Sequence, residues 1–208
     1  MDNQSSSGDL TDLLAGLVDL STKSSSIAFQ ELASQIQAVS VCGHEAAPAS
    51  CSTTDQWLAQ ALSTLQPDGS FAHGIATAAR DAPWQEASRG VPEFFAGGYA
   101  YAVLATEQPP VTSDSLRIGL LLQRPEISYP GHAHDAEEFY FILSGKAKWQ
   151  IDETSFEVSG GELIHHLPAA IHAMQTARHP LLAAWVWRGS LDGRFWYESA
   201  PNTDCPRT

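Results

Sequence analysis

The C-terminal half of the chain consists of short β-prone runs separated by turn residues, and this pattern constrains the fold more than any other feature. Turn pairs such as Ser144-Gly145 and Gly160-Gly161 lie between the runs. Many short strands at this spacing are typical of a sandwich or a barrel, and a double-stranded jelly roll is one such form. The predicted strands are residues 99–105, 116–123, 138–143, 147–151, 156–158, 163–166, 173–176 and 182–187.

The sequence before about residue 95 has helical character instead. Leucines recur at helical spacing from Leu10 to Leu17, and a second apolar pattern runs from Ile27 to Val39. A third helix is expected from about residue 54 to 65, followed by one short helix and a loop within residues 71–90. We therefore expect a helical N-terminal region, residues 1–94, and a barrel domain, residues 95–208. The helices pack on the barrel or build an oligomer contact, with a homodimer as the simplest case.

The charge of the chain excludes several classes of partner. The net charge is −13, with 11 Lys and Arg against 24 Asp and Glu. Such a surface repels nucleic-acid phosphates and anionic membranes. No apolar run approaches the roughly 18 residues of a spanning helix. We therefore expect a cytoplasmic protein with no nucleic-acid partner and no membrane partner.

The three cysteines do not form a disulfide framework. Cys42, Cys51 and Cys205 have no regular spacing, and their number is odd. Reduced thiols in a cytosolic protein are the simplest interpretation. A disulfide between Cys42 and Cys51 stays open as an alternative.

Two histidines and a glutamate form the cluster that carries chemistry. His132 and His134 are two residues apart, so on a strand both side chains point to one face. Glu138 reaches the same face if a turn or a bulge lies between. Two imidazoles and a carboxylate suit one divalent transition metal ion, namely Zn, Fe, Mn, Ni or Co.

This cluster resembles the first motif of the cupin family. After His132 come one residue and His134, three residues and Glu138, and then six residues and Gly145, which is the motif's spacing. The resemblance implies a mainly β fold, the cupin double-stranded β-helix (jelly-roll) barrel, here with a helical N-terminal region.

A later segment resembles the second cupin motif, with a glycine, a proline and a last histidine. It departs from the pattern, because Ala170 stands where glycine is common and His172 follows Pro168 by one residue fewer than usual. The resemblance implies that His172 is the fourth metal ligand. His165 and His166 stay open as alternatives for that position, and His166 is also a candidate for contact with the substrate.

The run YPGHAHDAEEFYFILSG, with Tyr140 two residues after Glu138, is similar to the bacterial cupin-type dimethylsulfoniopropionate (DMSP) lyases. The likeness covers residues 95–200 well and the N-terminal helices loosely. It implies a carbon–sulfur lyase that cleaves DMSP to dimethyl sulfide and acrylate by β-elimination. The substrate would be a small zwitterion with a sulfonium cation at one end and a carboxylate at the other.

Tyr140 is the predicted catalytic base. It alternates in phase with Glu138, so both side chains can face the barrel interior. A free phenol has a pKa near 10, but a neighbouring divalent cation favours its anion. Tyr129, just before the histidine pair, is the second candidate for the base.

Tryptophans are the candidates for holding the sulfonium group, because aromatic faces attract cations. Trp185 and Trp187 share one face of a strand, and Trp149 and Trp196 supply further rings. Core packing is the alternative role for each of them.

Three rival functions remain at this stage. One is another metal-cupin enzyme, such as a dioxygenase or an isomerase. Another is a non-catalytic cupin that binds a small acid, and the third is a storage or structural cupin without metal.

Overall fold

The computed structural model describes residues 5–41, 47–86, 95–106 and 111–198, without the side chains of residues 5–9, 106 and 111. Cys42 and Cys205 therefore lie outside the described residues, and Cys51 has a free thiol. Within the described ranges, four helices precede most of the strands: α1 Ser5–Lys23, α2 Ile27–Gln37, α3 Ser52–Leu62 and α4 Gly69–Asp81.

Thirteen strands are found among the described residues. They are β1 Ser40–Val41, β2 Gln85–Glu86, β3 Tyr99–Thr106, β4 Val111–Thr112, β5 Leu116–Gln123, β6 Ser128–His134, β7 Ala136–Ser144, β8 Lys146–Ile151, β9 Thr154–Ser159, β10 Leu163–His166, β11 His172–Thr176, β12 Leu181–Gly189 and β13 Phe195–Tyr197. Every predicted strand is present. Strands β6 and β13 and the two-residue strands β1, β2 and β4 were not predicted, because the Pro-Gly pair in β6 and the brevity of the others weaken the strand pattern.

The strands form two sheets that face each other. The larger has the order β1-β4-β3-β5-β12-β7-β10 with β2 beside β3, and the smaller has the order β13-β6-β11-β8-β9. Apart from the parallel pair β3–β4, the pairings are antiparallel. The predicted jelly-roll barrel with a helical N-terminal region is thus confirmed.

The helices cover the outer face of the larger sheet. Leu13 and Leu17 of α1 and Leu32 and Ile36 of α2 are buried in one cluster with Phe139 of β7. Their spacing is that of a single apolar stripe on each helix. Strands β1 and β2 come from the same N-terminal region and extend the larger sheet. None of the described helices is long and apolar enough to cross a bilayer.

Two helices differ from the sequence prediction. Helix α3 begins at Ser52, because the Thr54 hydroxyl accepts a hydrogen bond from the backbone N–H of Cys51, the residue before the helix. It ends at Leu62, short of the expected residue 65. Helix α4 begins at Gly69, before the expected range of residues 71–90, and its 13 residues make it longer than the short helix that was expected.

Strand β7 is buried on both faces. Phe139, Phe141 and Leu143 point outward to the helices, whereas Tyr140 and Ile142 point into the barrel. A strand covered on both sides has a nearly continuous apolar sequence. The strand ends at Ser144, and the next residue, Gly145, has a φ of +85° in the left-handed region.

Gly145 gives a test of this turn. A Cβ there would lie 2.1 Å from the carbonyl oxygen of Pro180, whereas Gly161, also at positive φ, has open space around it. We expect Gly161→Ala to lower the free energy of unfolding by about 1 kcal/mol through backbone strain alone. Gly145→Ala adds the collision and should cost about 2–4 kcal/mol. Urea denaturation measures both, and equal losses would contradict the steric argument.

Candidate metal centre and active-site cavity

Three strands bring the predicted metal ligands together inside the barrel. His132 and His134 lie on β6, and His172 of β11 is directly opposite His132 in the register. The chain then turns at Asp135 from the smaller sheet into the larger one, so Glu138 of β7 approaches from the opposite wall. All four side chains are buried, with exposed fractions of 3% or less.

Each of these histidines has one ring nitrogen fixed by the backbone. The Nδ1 atoms of His132, His134 and His172 lie 2.9 Å from the carbonyl oxygens of Pro130, Ala136 and Ala170, respectively. A carbonyl accepts only, so each Nδ1 carries the hydrogen and each Nε2 of the neutral ring presents a lone pair. Metal-binding histidines are commonly oriented by such a second hydrogen bond.

The lone pairs of two of these rings converge on Glu138. Its Oε2 atom lies 3.0 Å from Nε2 of His134 and 3.2 Å from Nε2 of His172. The second of these contacts lacks hydrogen-bond geometry, so Nε2 of His172 is a buried nitrogen without a hydrogen-bond partner. Candidate ligand atoms of His134, Glu138 and His172 all lie within 4.8 Å of one another.

This arrangement fits a divalent cation. An imidazole lone pair that faces a carboxylate oxygen needs a cation or a proton between them. Two ligands about 2.1 Å from one ion and at right angles to each other are about 3.0 Å apart, close to the spacing found here. Burial, and then His172, lower the pKa of His132 well below its usual value, which favours the neutral form that a metal requires.

Glu138 is held in its charged form. Burial opposes ionisation, but the close contacts of the carboxylate with the rings of His134, His166 and His172 hold its pKa well below the usual value. Its other oxygen, Oε1, accepts a hydrogen bond of 2.7 Å from the indole N–H of Trp187. An ionised carboxylate at this depth is a strong ligand for a cation.

His132 lies beside the triad of His134, Glu138 and His172. Its ring centroid is 4.1 Å from that of His172 and 4.2 Å from that of Tyr129. The two alternatives on β10 are not members of this triad. His165 faces outward, where its Nε2 lies 2.7 Å from a carboxylate oxygen of Glu137. His166 points inward and contacts Glu138 through Nδ1 at 3.1 Å.

A cavity of about 580 Å³ opens next to the triad. Such a volume is ordinary for a small-molecule site. Of the predicted residues, His132, His134, Glu138, Tyr129, Tyr140, Trp185 and Trp187 line it. Trp149 and His166 are fully buried, because the indole of Trp149 turns away from the cavity and donates to His166. Trp196 lies on the other face of β13, over Arg194.

The cavity also contains residues that the sequence did not single out. Tyr99 and Tyr101 come from β3, Arg117 from β5, and Phe195 and Tyr197 from β13. Alternation of two aromatic residues on one strand was the available signal for β3 and β13. Their distance along the chain from the histidines concealed the connection.

Without a bound metal ion, both candidate bases are neutral phenols. Burial, and then the negative charge of Glu138, raise the pKa of Tyr140 well above 10. Burial, and then Tyr99, raise the pKa of Tyr129, whose hydroxyl donates to that of Tyr99 at 3.1 Å. Either residue therefore needs a positive charge nearby before it can remove a proton.

The barrel and its buried histidine–glutamate group define the class of protein as a cupin with a candidate metal site. A family model described as dimethylsulfoniopropionate lyase matches residues 21–183. That is more than half of the chain, and the chain belongs to this family.

Curated relatives and solved structures agree with this assignment. DMSP lyase DddQ of Ruegeria pomeroyi is 33% identical over 99 residues, 47% of this chain and 49% of its own. The putative DMSP lyase DddL of Cereibacter sphaeroides is 30% identical over 122 residues, 58% of this chain and 51% of its own. The chain thus matches about half the length of these relatives.

The fold extends over nearly the whole chain. The crystal structure of DddQ from R. pomeroyi has a TM-score of 0.73 at 23% identity, covering 91% of this chain and 95% of its own. A chain from the crystal structures of the DMSP lyases RdDddP and RnDddQII has a TM-score of 0.76 at 22% identity, covering 94% and 100%. At such identities the likeness establishes the fold.

Adjacent glutamates provide a matched test of the metal centre. Glu138→Gln removes the negative charge that faces the two imidazole lone pairs, whereas Glu137 lies on the outer face with His165 and Arg188. We expect Glu138→Gln to weaken Zn²⁺ binding by more than about 100-fold, beyond the loss caused by an outer hydrogen-bond partner. Glu137→Gln should leave it unchanged. Competition with a chromophoric chelator measures both affinities, and equal affinities would refute the assignment.

Proposed function

We propose that this protein is a metal-dependent lyase that cleaves DMSP to dimethyl sulfide and acrylate. The observation that supports this best is the buried triad of His134, Glu138 and His172 beside an aromatic cavity. The family to which the chain belongs has the same substrate in its description. Because the curated relatives are matched over about half their length, their activity is proposed for this chain by inference.

One divalent ion of Zn, Fe, Mn, Ni or Co is the proposed cofactor. His134, Glu138 and His172 would hold it, with His132 as the fourth ligand. When bound, such an ion supplies positive charge that favours the anion of a neighbouring phenol and offsets the charge developing on the substrate carboxylate. A mixed nitrogen and oxygen ligand set accepts several ions, so availability contributes to the choice.

Tyr140 is the proposed base in the elimination. Its ring lies in the cavity wall. Tyr140 is two residues after Glu138 on β7, so the two side chains point to the same face. The phenolate takes the proton from the carbon next to the substrate carboxylate. The electron pair of that C–H bond forms the double bond of acrylate. The carbon–sulfur bond breaks, and its electron pair leaves with sulfur as neutral dimethyl sulfide.

Aromatic rings are the proposed seat of the sulfonium group. Trp185 and Trp187 lie side by side in the cavity wall, with ring centroids 5.6 Å apart. Tyr129, the second candidate for the base, lies across from them beside Tyr99. Ring faces attract a cation without hydrogen bonding to it, which suits a sulfonium that has no N–H or O–H.

The cytoplasmic location and the homodimer stay predictions.

Headspace gas chromatography tests the function directly. Purified protein loaded with Zn²⁺, Fe²⁺, Mn²⁺, Ni²⁺ or Co²⁺ is expected to release dimethyl sulfide and acrylate in equal amounts from DMSP. Treatment with a chelator should abolish the release, and adding the metal back should restore it. Bound metal with no volatile product would reject the lyase and leave a metal-binding cupin of another activity. Oxygen consumption would indicate a dioxygenase, because elimination consumes no oxygen.

A pair of tyrosine variants tests the base. Tyr140→Phe removes the hydroxyl and keeps the ring, so we expect kcat to fall by at least about 100-fold, the scale of a general base. Metal content should stay the same. Tyr129→Phe is the comparison, and a smaller loss is expected there. If Tyr129→Phe abolishes turnover and Tyr140→Phe does not, the base is Tyr129.

A further inference from the structure

His166 is a buried histidine to which the proposed elimination assigns no role. Its side chain on β10 is fully buried, and both ring nitrogens have a partner. Nε2 lies 2.9 Å from the indole nitrogen of Trp149, and Nδ1 lies 3.1 Å from Oε2 of Glu138. The ring therefore connects Trp149, on β8 of the smaller sheet, with Glu138 on the larger one.

The partner at Nε2 determines where the proton of this ring lies. An indole N–H can only donate a hydrogen bond, so Nε2 of His166 must accept. In a neutral imidazole the hydrogen is then on Nδ1. Nδ1–H consequently donates to Oε2 of Glu138, and Trp149 determines which tautomer is present.

Strand register places a second donor on the other side of the same carboxylate. His166 of β10 and Trp187 of β12 are both directly opposite Glu138 of β7. Trp187 donates to Oε1 at 2.7 Å, while His166 donates to Oε2. With one donor on each oxygen, the carboxylate cannot rotate without losing a buried hydrogen bond, which costs about 1–3 kcal/mol.

We propose that His166 is a positioning residue of the metal centre, which aims Oε2 of Glu138 at the site between His134 and His172. Trp149 supports it by holding the ring in the tautomer that donates. The inference rests on the proposed metal-dependent function. It adds two residues that hold the ligand Glu138 in place without binding the metal themselves. It replaces the roles of His166 and Trp149 as substrate contacts, because neither side chain reaches the cavity.

Two amide substitutions separate this role from simple filling of space. The amide nitrogen of asparagine can take the place of Nδ1, whereas that of glutamine takes the place of Nε2. We expect His166→Asn to keep the hydrogen bond to Glu138 and to bind Co²⁺ within a few-fold of wild type. His166→Gln loses that bond and should weaken Co²⁺ binding by about 10- to 100-fold, the usual effect of an outer partner. Trp149→Phe should weaken binding by less.

The controls use the same strand and a second signal. His165→Asn changes the neighbouring histidine, which faces outward, and should leave Co²⁺ affinity unchanged. The visible absorption of bound Co²⁺ reports its ligand set and should be alike in wild type and His166→Asn. Thermal melting of the metal-free proteins identifies any variant that has failed to fold.

The outcomes distinguish the two proposals. Equal affinities in His166→Asn and His166→Gln, or a changed Co²⁺ spectrum in His166→Asn, would overturn the positioning role; a changed spectrum would indicate that His166 is itself a ligand. Wild type that binds Co²⁺ without releasing dimethyl sulfide would reject the lyase and leave the positioning role to be decided by the affinities. Wild type that binds no metal would overturn both.

Discussion

The buried carboxylate of Glu138 is the group on which the arrangement of the barrel interior depends. A carboxylate removed from water is very costly unless charge and hydrogen bonds compensate it. Here His166 on β10 and Trp187 on β12 donate hydrogen bonds to it, while His134 on β6 and His172 on β11 face it across the site of the proposed cation. These side chains reach the carboxylate only when their strands are in register. The candidate metal centre and the closed barrel therefore depend on each other, because opening the barrel would leave this charge unpaired.

Strand β7 connects this interior to the helical layer. Glu138 and Tyr140 face inward, while Phe139 packs against Phe29 of α2 with ring centroids 5.1 Å apart. On the same outer face, Arg188 contacts both Glu137 and Glu31. The helices thus fix the strand that carries Glu138, the charged candidate ligand, and the proposed base. Rigid support from outside is what a site needs when its groups must stay within a fraction of an ångström of their working positions.

The sequence predicted the parts of the site that are local in the chain. His132, His134 and Glu138 follow from strand alternation and one turn, and the strand content follows from the turn pairs. The contributions of Trp149 and His166 did not follow, because they depend on which strands are neighbours and in what register. Tyr197 was missed for the same reason. It reaches the cavity through β13, which pairs with β6 from more than 60 residues away along the chain.

Charge distribution in the cavity wall gives a reason for its aromatic character. Glu86 accepts hydrogen bonds from Ser52 and Thr53 at the start of α3, and Arg117 donates to Leu191 and Asp192. Glu138 is directed at the histidines. Each of these charged wall residues is therefore engaged within the protein, and the remaining surface is largely ring faces. A free carboxylate there would attract a sulfonium, but it would also compete with the candidate site for the proposed divalent ion. Aromatic rings attract the sulfonium cation without binding a divalent metal ion.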